Sequence, residues 1–183
     1  MDSFFEEMLS SECSGCGNCC REVIVPVTDS DVLRLAVSSG KAIEDFVCFY
    51  GETEVDLDLD GGYVIQFSDS WAVMGLRREN GACVFQTDNR CSVYKARPYS
   101  CRSFPLAIFL DESGEICDMS FIDGVDCKRV RGKKKQLKSI RNLARREDEA
   151  DYVYYEKVRE WNENVQTNDR REFLRFMFGS NNL

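Results

Sequence analysis

The sequence predicts an α+β fold in which a small antiparallel sheet with helices is followed by a helical C-terminal third. Between Val55 and Cys117 apolar side chains tend to alternate with polar ones, the period-two pattern of half-buried strands. After Cys127 the apolar residues recur every three or four positions, which is typical of helices. The length, 183 residues, fits one ordinary domain with a helical tail.

Four elements are expected before the strand-rich region. They are a short amphipathic helix or frayed end over 1–12, a strand over 23–27 in which Pro26 indicates an edge or a bulge, a helix from 28 to 40 and a second helix over 42–50. The third of these has the clearest start signal, because Thr28 and Asp31 are spaced as an N-cap and the third residue of a helix.

The strand-rich region is bounded by turn-forming residues. Its predicted strands are 55–59, 63–67, 71–76, 106–110 and 115–119. Turns are indicated at Asp60-Gly61-Gly62 and Glu112-Ser113-Gly114. Three apolar stripes at helical spacing follow, around Leu137–Ala144, Tyr154–Trp161 and Phe173–Met177.

Two counts narrow the chemistry: the chain has ten cysteines and no histidine. Without histidine it has no Ser–His or Cys–His nucleophile pair and no His-containing zinc site. The first nine residues include no basic residue, so they do not match a secretory signal peptide. Ten thiols without such a signal favour a cytoplasmic protein whose cysteines bind metal, with disulfides as the less favoured alternative.

Charge is unevenly distributed along the chain. The segment 128–146 has ten basic residues and no acidic one, whereas the remaining residues include 14 basic and 32 acidic side chains, a net charge of −18. A body this acidic repels nucleic acid, so only this segment could attract an anionic partner. A solvated helix face is the more common explanation of such a run, and no base-reading motif accompanies it.

Four cysteines form a compact motif, Cys13-x-x-Cys16-x-x-Cys19-Cys20, in a loop that contains Gly15 and Gly17. Thiolates at this spacing can surround one metal centre, and both iron–sulfur clusters and zinc sites use such ligands. If the stretch is extended, the adjacent pair points to opposite sides and could serve two centres or two sides of one.

Four further cysteines bring the number of candidate ligands to eight, enough for two centres with four thiolates each. The predicted metal ligands are Cys13, Cys16, Cys19, Cys20, Cys83, Cys91, Cys101 and Cys127. Cys48 and Cys117 are expected to be core residues, although Cys117 could replace Cys127 as a ligand. No catalytic residue is predicted, since no nucleophile elbow or phosphate loop is present.

The motifs resemble those of the CxxCxxCC cysteine-cluster family, also known as the YkgJ family of zinc- or iron-chelating domains. The resemblance rests on the N-terminal motif followed by Cys83, Cys91 with Tyr94, and Arg97-Pro98-x-x-Cys101-Arg102-x-Phe104-Pro105. It extends to about Cys127 and implies a cytosolic metal-chelating domain, often labelled iron–sulfur. The family is distantly similar to part of flagellin lysine N-methylases, but no Gly-rich cofactor loop accompanies the motif here, so methyl transfer is not expected.

Three functions remain open at this level. The first is an iron–sulfur protein, with clusters of the 4Fe–4S type, that acts in electron transfer or supports a partner enzyme. The second is a zinc-stapled interaction module that presents a basic helix to a partner, and the third is metal trafficking. The expected organisation is a cysteine-cluster metal-binding domain over 1–127, with a basic helix and C-terminal helices over 128–183 packed on it. We expect a protein partner and no membrane. Nucleic acid could bind only through 128–146.

Arg97 and Arg102 flank Cys101 and have two possible roles. They could pair with carboxylates, or they could offset the negative charge of a thiolate-rich centre. Tyr94, Phe85 and Phe104 are expected to form an apolar wall around the centre.

Overall fold

The computed structural model describes residues 3–59, 62–164 and 167–180. The helices are Ser3–Ser10 (α1), Cys19–Glu22 (α2), Asp29–Ser39 (α3), Ile43–Phe46 (α4), Tyr99–Ser103 (α5), Leu137–Asn164 (α6) and Arg170–Phe178 (α7). The strands are Ser11–Cys13 (β1), Val47–Gly51 (β2), Val64–Gln66 (β3), Trp71–Leu76 (β4), Arg78–Glu79 (β5), Ala82–Cys83 (β6), Gln86–Thr87 (β7), Arg90–Cys91 (β8), Leu106–Leu110 (β9), Ile116–Phe121 (β10) and Arg129–Arg131 (β11).

The strands pair in small antiparallel sheets, which confirms the predicted α+β fold. The largest sheet has three strands in the order β2-β4-β3, and the remaining pairs are β1 with β11, β5 with β6, β7 with β8, and β9 with β10. The cysteine-bearing pairs β5–β6 and β7–β8 are two residues long on each side, so contacts outside the pairs must hold them in place.

Helix α3 begins as predicted. The Thr28 hydroxyl accepts from the Asp31 backbone N–H at 3.3 Å, and the Asp31 carboxylate accepts from the Thr28 backbone N–H at 3.4 Å. This reciprocal capping box satisfies two backbone donors that the first helical turn would otherwise leave unpaired. The helix ends at Gly40, whose φ of 67° is a left-handed conformation that glycine adopts without strain.

The predicted helix over 42–50 is wrong in its second half. Only Ile43–Phe46 is helical, and the next five residues form β2, with Val47 opposite Leu76 of β4. Phe46, Val47 and Tyr50 are buried, and the Tyr50 hydroxyl donates to the Leu76 carbonyl at 2.7 Å. Pairing with β4 therefore overrides the helical spacing that the sequence shows.

Two predicted strands are also absent from the described residues. The 23–27 segment forms only a single bridge between Pro26 and Gly75, in which the Val27 N–H donates to the Met74 carbonyl at 3.1 Å and the Leu76 N–H donates to the Val25 carbonyl at 3.0 Å. The 55–59 segment is irregular, and Leu59 is 62% exposed. The alternation of apolar and acidic residues there reflects solvation of the acidic side chains, and the segment has no partner strand among the described residues. The predicted turn at 60–62 begins with Asp60 and Gly61, which lie outside the described residues.

The core has two parts. The larger cluster lies between the β2-β4-β3 sheet, α3, α6 and α7, and the smaller one contains Met8, Leu9, Leu106, Met119 and Ile140. At the edge of the large sheet the Trp161 indole donates to the Gln66 carbonyl at 2.8 Å, and its ring lies 5.2 Å from that of Phe173. These contacts fix α6 and α7 against β3.

Residues 137–164 form one continuous helix of 28 residues, although two apolar stripes were predicted there. The basic segment is not helical throughout, because residues 129–131 form β11 and the helix starts only at Leu137. The prediction of a basic helix from Lys128 is therefore wrong for its first nine residues. No helix in the described part of the chain is long and apolar enough to cross a bilayer.

Candidate metal centre

The N-terminal cysteine motif forms a loop between β1 and α2. Gly15 and Gly17 adopt φ values of 73° and 72°, left-handed conformations that let the chain turn tightly between the cysteines. A side chain at Gly17 would also place its Cβ 2.6 Å from Gln86 Nε2. Cys19 and Cys20 open the short helix α2. The sequence thus folds the four thiols into one compact segment.

Two polar side chains attach this loop to the hairpin β7–β8. The Arg21 guanidinium donates to the Cys16 carbonyl at 2.9 Å and to the Asn89 side chain at 2.7 Å. The Gln86 side-chain amide donates to the Gly17 carbonyl at 3.0 Å. Because Gln86 pairs directly with Cys91 in the hairpin, these bonds fix the position of Cys91 relative to the loop.

A second clamp connects the loop to the hairpin β5–β6. The Arg78 guanidinium donates to the Arg21 carbonyl and to the Gly81 carbonyl. Arg78 lies opposite Cys83 in the strand pair, so this clamp sets the distance between Cys83 and α2.

Four half-buried thiols interact electrostatically with one another or with Cys19, and we call them the inner thiol group. Its members are Cys20, Cys83, Cys91 and Cys101. Burial raises the pKa of Cys83, Cys91 and Cys101, and negative charge on neighbouring thiols raises each of them further. Thiols whose ionisation is disfavoured by burial and by neighbouring charge need a cation to become thiolates together.

A second set, the outer thiol group, contains Cys13, Cys16 and Cys127. The Cys13 side chain is exposed, and its sulfur accepts from the Gly15 N–H at 3.3 Å. Charge on Cys16 and on Cys13 contributes to the raised pKa of Cys127, after the larger effect of burial. The Asn18 amide donates to the Asp126 carbonyl at 2.8 Å, which holds the chain next to Cys127 against the loop.

Cys19 lies between the two groups and interacts electrostatically with both. A hydrogen bond from the Cys20 thiol is the main cause that lowers the pKa of Cys19 to about 6, with help from the Arg97 charge. The backbone N–H groups of Asn18 and Lys128 lower the pKa of Cys16. Cys19 is therefore available as a thiolate at neutral pH without any metal, and Cys16 ionises more readily than an ordinary thiol.

The expectation of an extended Cys19-Cys20 pair does not hold, because both residues are helical. Their thiols hydrogen-bond to each other instead of pointing to opposite sides. In a helix adjacent side chains differ in direction by about 100°, which still allows each to meet a different group.

Arg97 and Arg102 turn out to have different surroundings. Arg102 donates to the Arg97 carbonyl at 2.9 Å and to the Lys95 carbonyl at 3.0 Å, so it braces the backbone before α5. The Arg97 guanidinium lies 3.8 Å from the centre of the Tyr94 ring. Its charge favours the thiolate forms of Cys19, Cys91 and Cys101.

The remaining predicted neighbours are divided between core and surface. Phe85 is buried, as expected for an apolar wall, whereas Tyr94 is 56% exposed and stacks on Arg97. Cys48 is half-buried on β2. The core assignment of Cys117 is wrong, because its thiol is exposed on β10 and donates to the Phe109 carbonyl at 3.4 Å. Cys127 is the thiol that interacts with Cys13 and Cys16.

The donor set fits a soft metal centre. All ten cysteines lie in the described part of the chain and are free thiols. In the residues described, no three cysteine, aspartate or glutamate side chains are yet close enough together to hold a metal ion. Both groups nevertheless consist of thiols alone, the ligands of Fe–S clusters and four-thiolate zinc sites.

Sequence reasoning missed Arg21, Arg78, Gln86 and Asn89, which hold the loop in place. A partial signal was available at Asp88 and Asn89, whose positive φ values form the tight turn of the β7–β8 hairpin. Nothing in the local sequence indicates that the turn would meet the cysteine loop, because residues 17 and 86 are far apart in the chain.

Comparison with known proteins agrees with this arrangement. A family model described as CxxCxxCC, "putative zinc- or iron-chelating domain", matches residues 12–121. The match includes seven of the eight predicted ligands and ends before Cys127. No curated protein and no solved structure matches the chain. Because the match covers more than half of its length, the chain belongs to the CxxCxxCC family of zinc- or iron-chelating domains.

Proposed function

We propose that this protein is a cytoplasmic iron–sulfur protein that holds two Cys-ligated clusters of the 4Fe–4S type and passes electrons to a partner enzyme. The inner cluster would be held by Cys20, Cys83, Cys91 and Cys101, and the outer one by Cys13, Cys16, Cys19 and Cys127. The electrostatic interaction of Cys20, Cys83 and Cys101 in one set and of Cys13, Cys16 and Cys127 in another carries this proposal. The clusters would supply one-electron chemistry.

The adjacency of Cys19 and Cys20 supports an electron-transfer role. Neighbouring residues in one helical turn would bring the two centres close to each other. The inner thiols are half-buried, whereas Cys13 of the outer group is exposed. An exposed centre next to an enclosed one provides an entry point for electrons and a protected site to receive them.

The clamps around the loop argue against a purely structural zinc staple. A staple would be needed to attach the N-terminal loop to the rest of the fold. Hydrogen bonds from Arg21, Arg78 and Gln86 already make that attachment without metal. The Arg97 charge next to the inner thiols instead suits a centre whose total charge matters, because net charge sets the potential of an Fe–S cluster.

The exposure of Cys13 gives metal trafficking some support as a second candidate. A protein that transfers metal needs at least one ligand that an acceptor can reach. Trafficking predicts that metal bound at the outer group exchanges readily and that the purified protein contains less than one metal ion per chain.

The test is elemental analysis with visible and electron paramagnetic resonance spectra on protein purified without oxygen. We expect about eight irons and eight sulfides per chain and a visible band that bleaches reversibly with dithionite. Cys48→Ala is the matched control, because Cys48 lies outside both thiol groups and its loss should leave the iron content unchanged.

Two results would contradict the proposal. About two zinc ions per chain with no visible band would replace it with the structural zinc module. Substoichiometric metal that passes rapidly to a chelator, with no reversible bleaching, would favour trafficking.

A further inference from the structure

Exposed basic side chains follow the outer thiol group along the chain, and one of them faces it across the β1–β11 pair. The strand pairing places Cys13 directly opposite Arg129, so the two side chains lie on the same face of the β1–β11 pair. Lys128 follows Cys127 in the chain, and its backbone N–H interacts with the Cys16 thiol. We call this surface the basic rim. Its exposed members are Lys128, Arg129, Arg131, Lys133 and Lys138.

Most positive charges of the rim are not neutralised by the rest of the fold. In the basic segment, Lys134 pairs with Glu6, and Arg141 and Arg145 pair with Glu115. No such ion pair involves a rim residue among the described residues. A surface that contacts only uncharged partners would not require this many unpaired cations. These cations lie on a chain whose net charge is −8.

An aromatic ring lies under one charge of the rim. The Arg129 guanidinium lies 3.7 Å from the centre of the Phe121 ring, which holds the charge in place above an aromatic face. Val130 is 48% exposed, but it alternates with Arg129 and Arg131 and therefore faces the other side of the β1–β11 pair. A fixed cation over an aromatic ring is a contact that a folded protein partner can use.

The acidic surroundings favour a compact acidic protein over nucleic acid. Glu12 lies opposite Val130 in the strand pair, and Asp123 and Asp126 are exposed beside Cys127. A phosphate backbone that followed the rim would soon run onto these carboxylates and onto the acidic body. A folded partner with an acidic patch of limited size can meet the rim and avoid them.

We propose that the basic rim is the docking surface for the acidic face of an electron-carrier protein, with Cys13, Cys16 and Cys127 at its centre. This inference rests on the proposed function, because electron transfer explains why the partner approaches the exposed thiols. Charge attraction of this kind mainly accelerates association and weakens as salt increases.

The experiment uses the full chain and an acidic plant-type ferredoxin as the binding partner tested. Binding is measured in 20 mM and in 300 mM salt by surface plasmon resonance, on anaerobically purified protein and on zinc-loaded protein. Carbodiimide cross-linking followed by mass spectrometry identifies which lysines contact the ferredoxin carboxylates. The variant Lys128→Gln, Lys133→Gln, Lys138→Gln removes three rim charges, all on exposed side chains.

A matched control removes the same number of charges elsewhere. Lys41→Gln, Lys95→Gln, Arg159→Gln alters three exposed basic residues outside the rim. Circular dichroism and thermal unfolding establish that both triple variants remain folded. We expect the rim variant to bind ferredoxin at least fivefold more weakly in low salt, and the control variant to stay within twofold of the unaltered protein.

The proposal is overturned if cross-links form mainly outside the rim, if both triple variants lose affinity equally, or if no salt-dependent binding occurs. It is also overturned if a ten-nucleotide uridine oligomer binds more tightly than ferredoxin and needs the same three lysines. Association is also measured on zinc-loaded protein. If the purified protein contains only zinc and still binds ferredoxin, the electron-transfer function is contradicted but the docking surface is supported.

Discussion

The inner and outer thiol groups use the same ligand type in contrasting surroundings. The inner thiols are half-buried on four different elements, α2, β6, β8 and α5, whereas the outer thiols lie in the N-terminal loop and beside β11, with Cys13 exposed. Burial raises the pKa of the inner thiols, and backbone N–H groups lower that of Cys16. The inner group is therefore suited to retaining a centre, and the outer group to exchanging with what lies outside.

The largest effect should follow from removing an inner ligand. Cys101→Ala deletes the thiol on α5 and leaves three thiols facing a desolvated space. We expect loss of about half of the bound iron. The loss of a metal ligand also removes several kcal/mol of folding free energy, which lowers the Tm of a chain this long by roughly 10 °C or more.

Cys48→Ala provides the control for that comparison, since it removes a half-buried thiol from β2. A similar fall in iron content and Tm in both variants would mean that the inner group has no special role.

The order of metal loss should separate the two groups. When anaerobic protein is exposed to air or to a chelator, we expect two phases, because Cys13 of the outer group is exposed whereas every inner thiol is half-buried. Cys13→Ala should abolish the fast phase and leave the slow one unchanged. Iron content and absorbance measured against time decide this. A single phase in the unaltered protein would contradict the division into two groups.

Arg97 tests whether charge tunes the inner centre. Arg97→Gln removes a positive charge that favours the Cys19, Cys91 and Cys101 thiolates. Because the loss disfavours an added electron, we expect the reduction potential of one centre to fall by about 30–60 mV. Arg97→Lys retains the charge and should restore most of the potential. Equal potentials in all three proteins, by spectroelectrochemical titration, would leave Arg97 with a structural role only.

The smallest effect concerns the support behind α5. Burial is the main cause that raises the pKa of Glu147 on α6 to about 7, and nearby Asp151 adds to it. A carboxyl whose pKa is higher in the folded than in the unfolded protein stabilises the fold while protonated. This stabilisation is complete below about pH 4.5 and is lost as the pH rises through about 7.

Glu147→Gln keeps a neutral side chain at every pH. We expect this variant to be about 1–2 kcal/mol more stable than the unaltered protein at pH 8 and nearly equal to it at pH 5. The exposed Glu163→Gln on the same helix serves as the control. Urea unfolding of the metal-loaded proteins at both pH values provides the measurement. An identical gain at pH 5 and pH 8 would show that ionisation of Glu147 is not its cause.

The sequence was a good guide where local signals coincide with tertiary structure. The α3 capping box was predicted from Thr28 and Asp31 because both partners lie within one helical turn. The predicted strand over 71–76 matches β4, the central and mostly buried strand of the largest sheet. The CxxCxxCC motif likewise identified the loop, since its glycines and thiols are contiguous.

Errors occurred where distant residues decide the outcome. The helical spacing at 47–50 is overridden by pairing with β4, which no local pattern reveals. The basic segment begins as a strand because Cys13 and its neighbours pair with it from more than 100 residues away. The grouping of Cys127 with Cys13 and Cys16 depends on this same pairing, so the sequence could name candidate ligands but could not divide them into groups.

Helix α6 has a consequence for where the protein can be cut. At 1.5 Å per residue its 28 residues extend about 42 Å, and along that length Ile140 belongs to the smaller core cluster while Tyr154 and Val158 belong to the larger one. The family match ends at residue 121, before this helix starts. The matched residues therefore leave out a helix that contributes to both core clusters. A fragment limited to 12–121 would keep the cysteine motif but expose the surfaces that α6 covers in both core clusters.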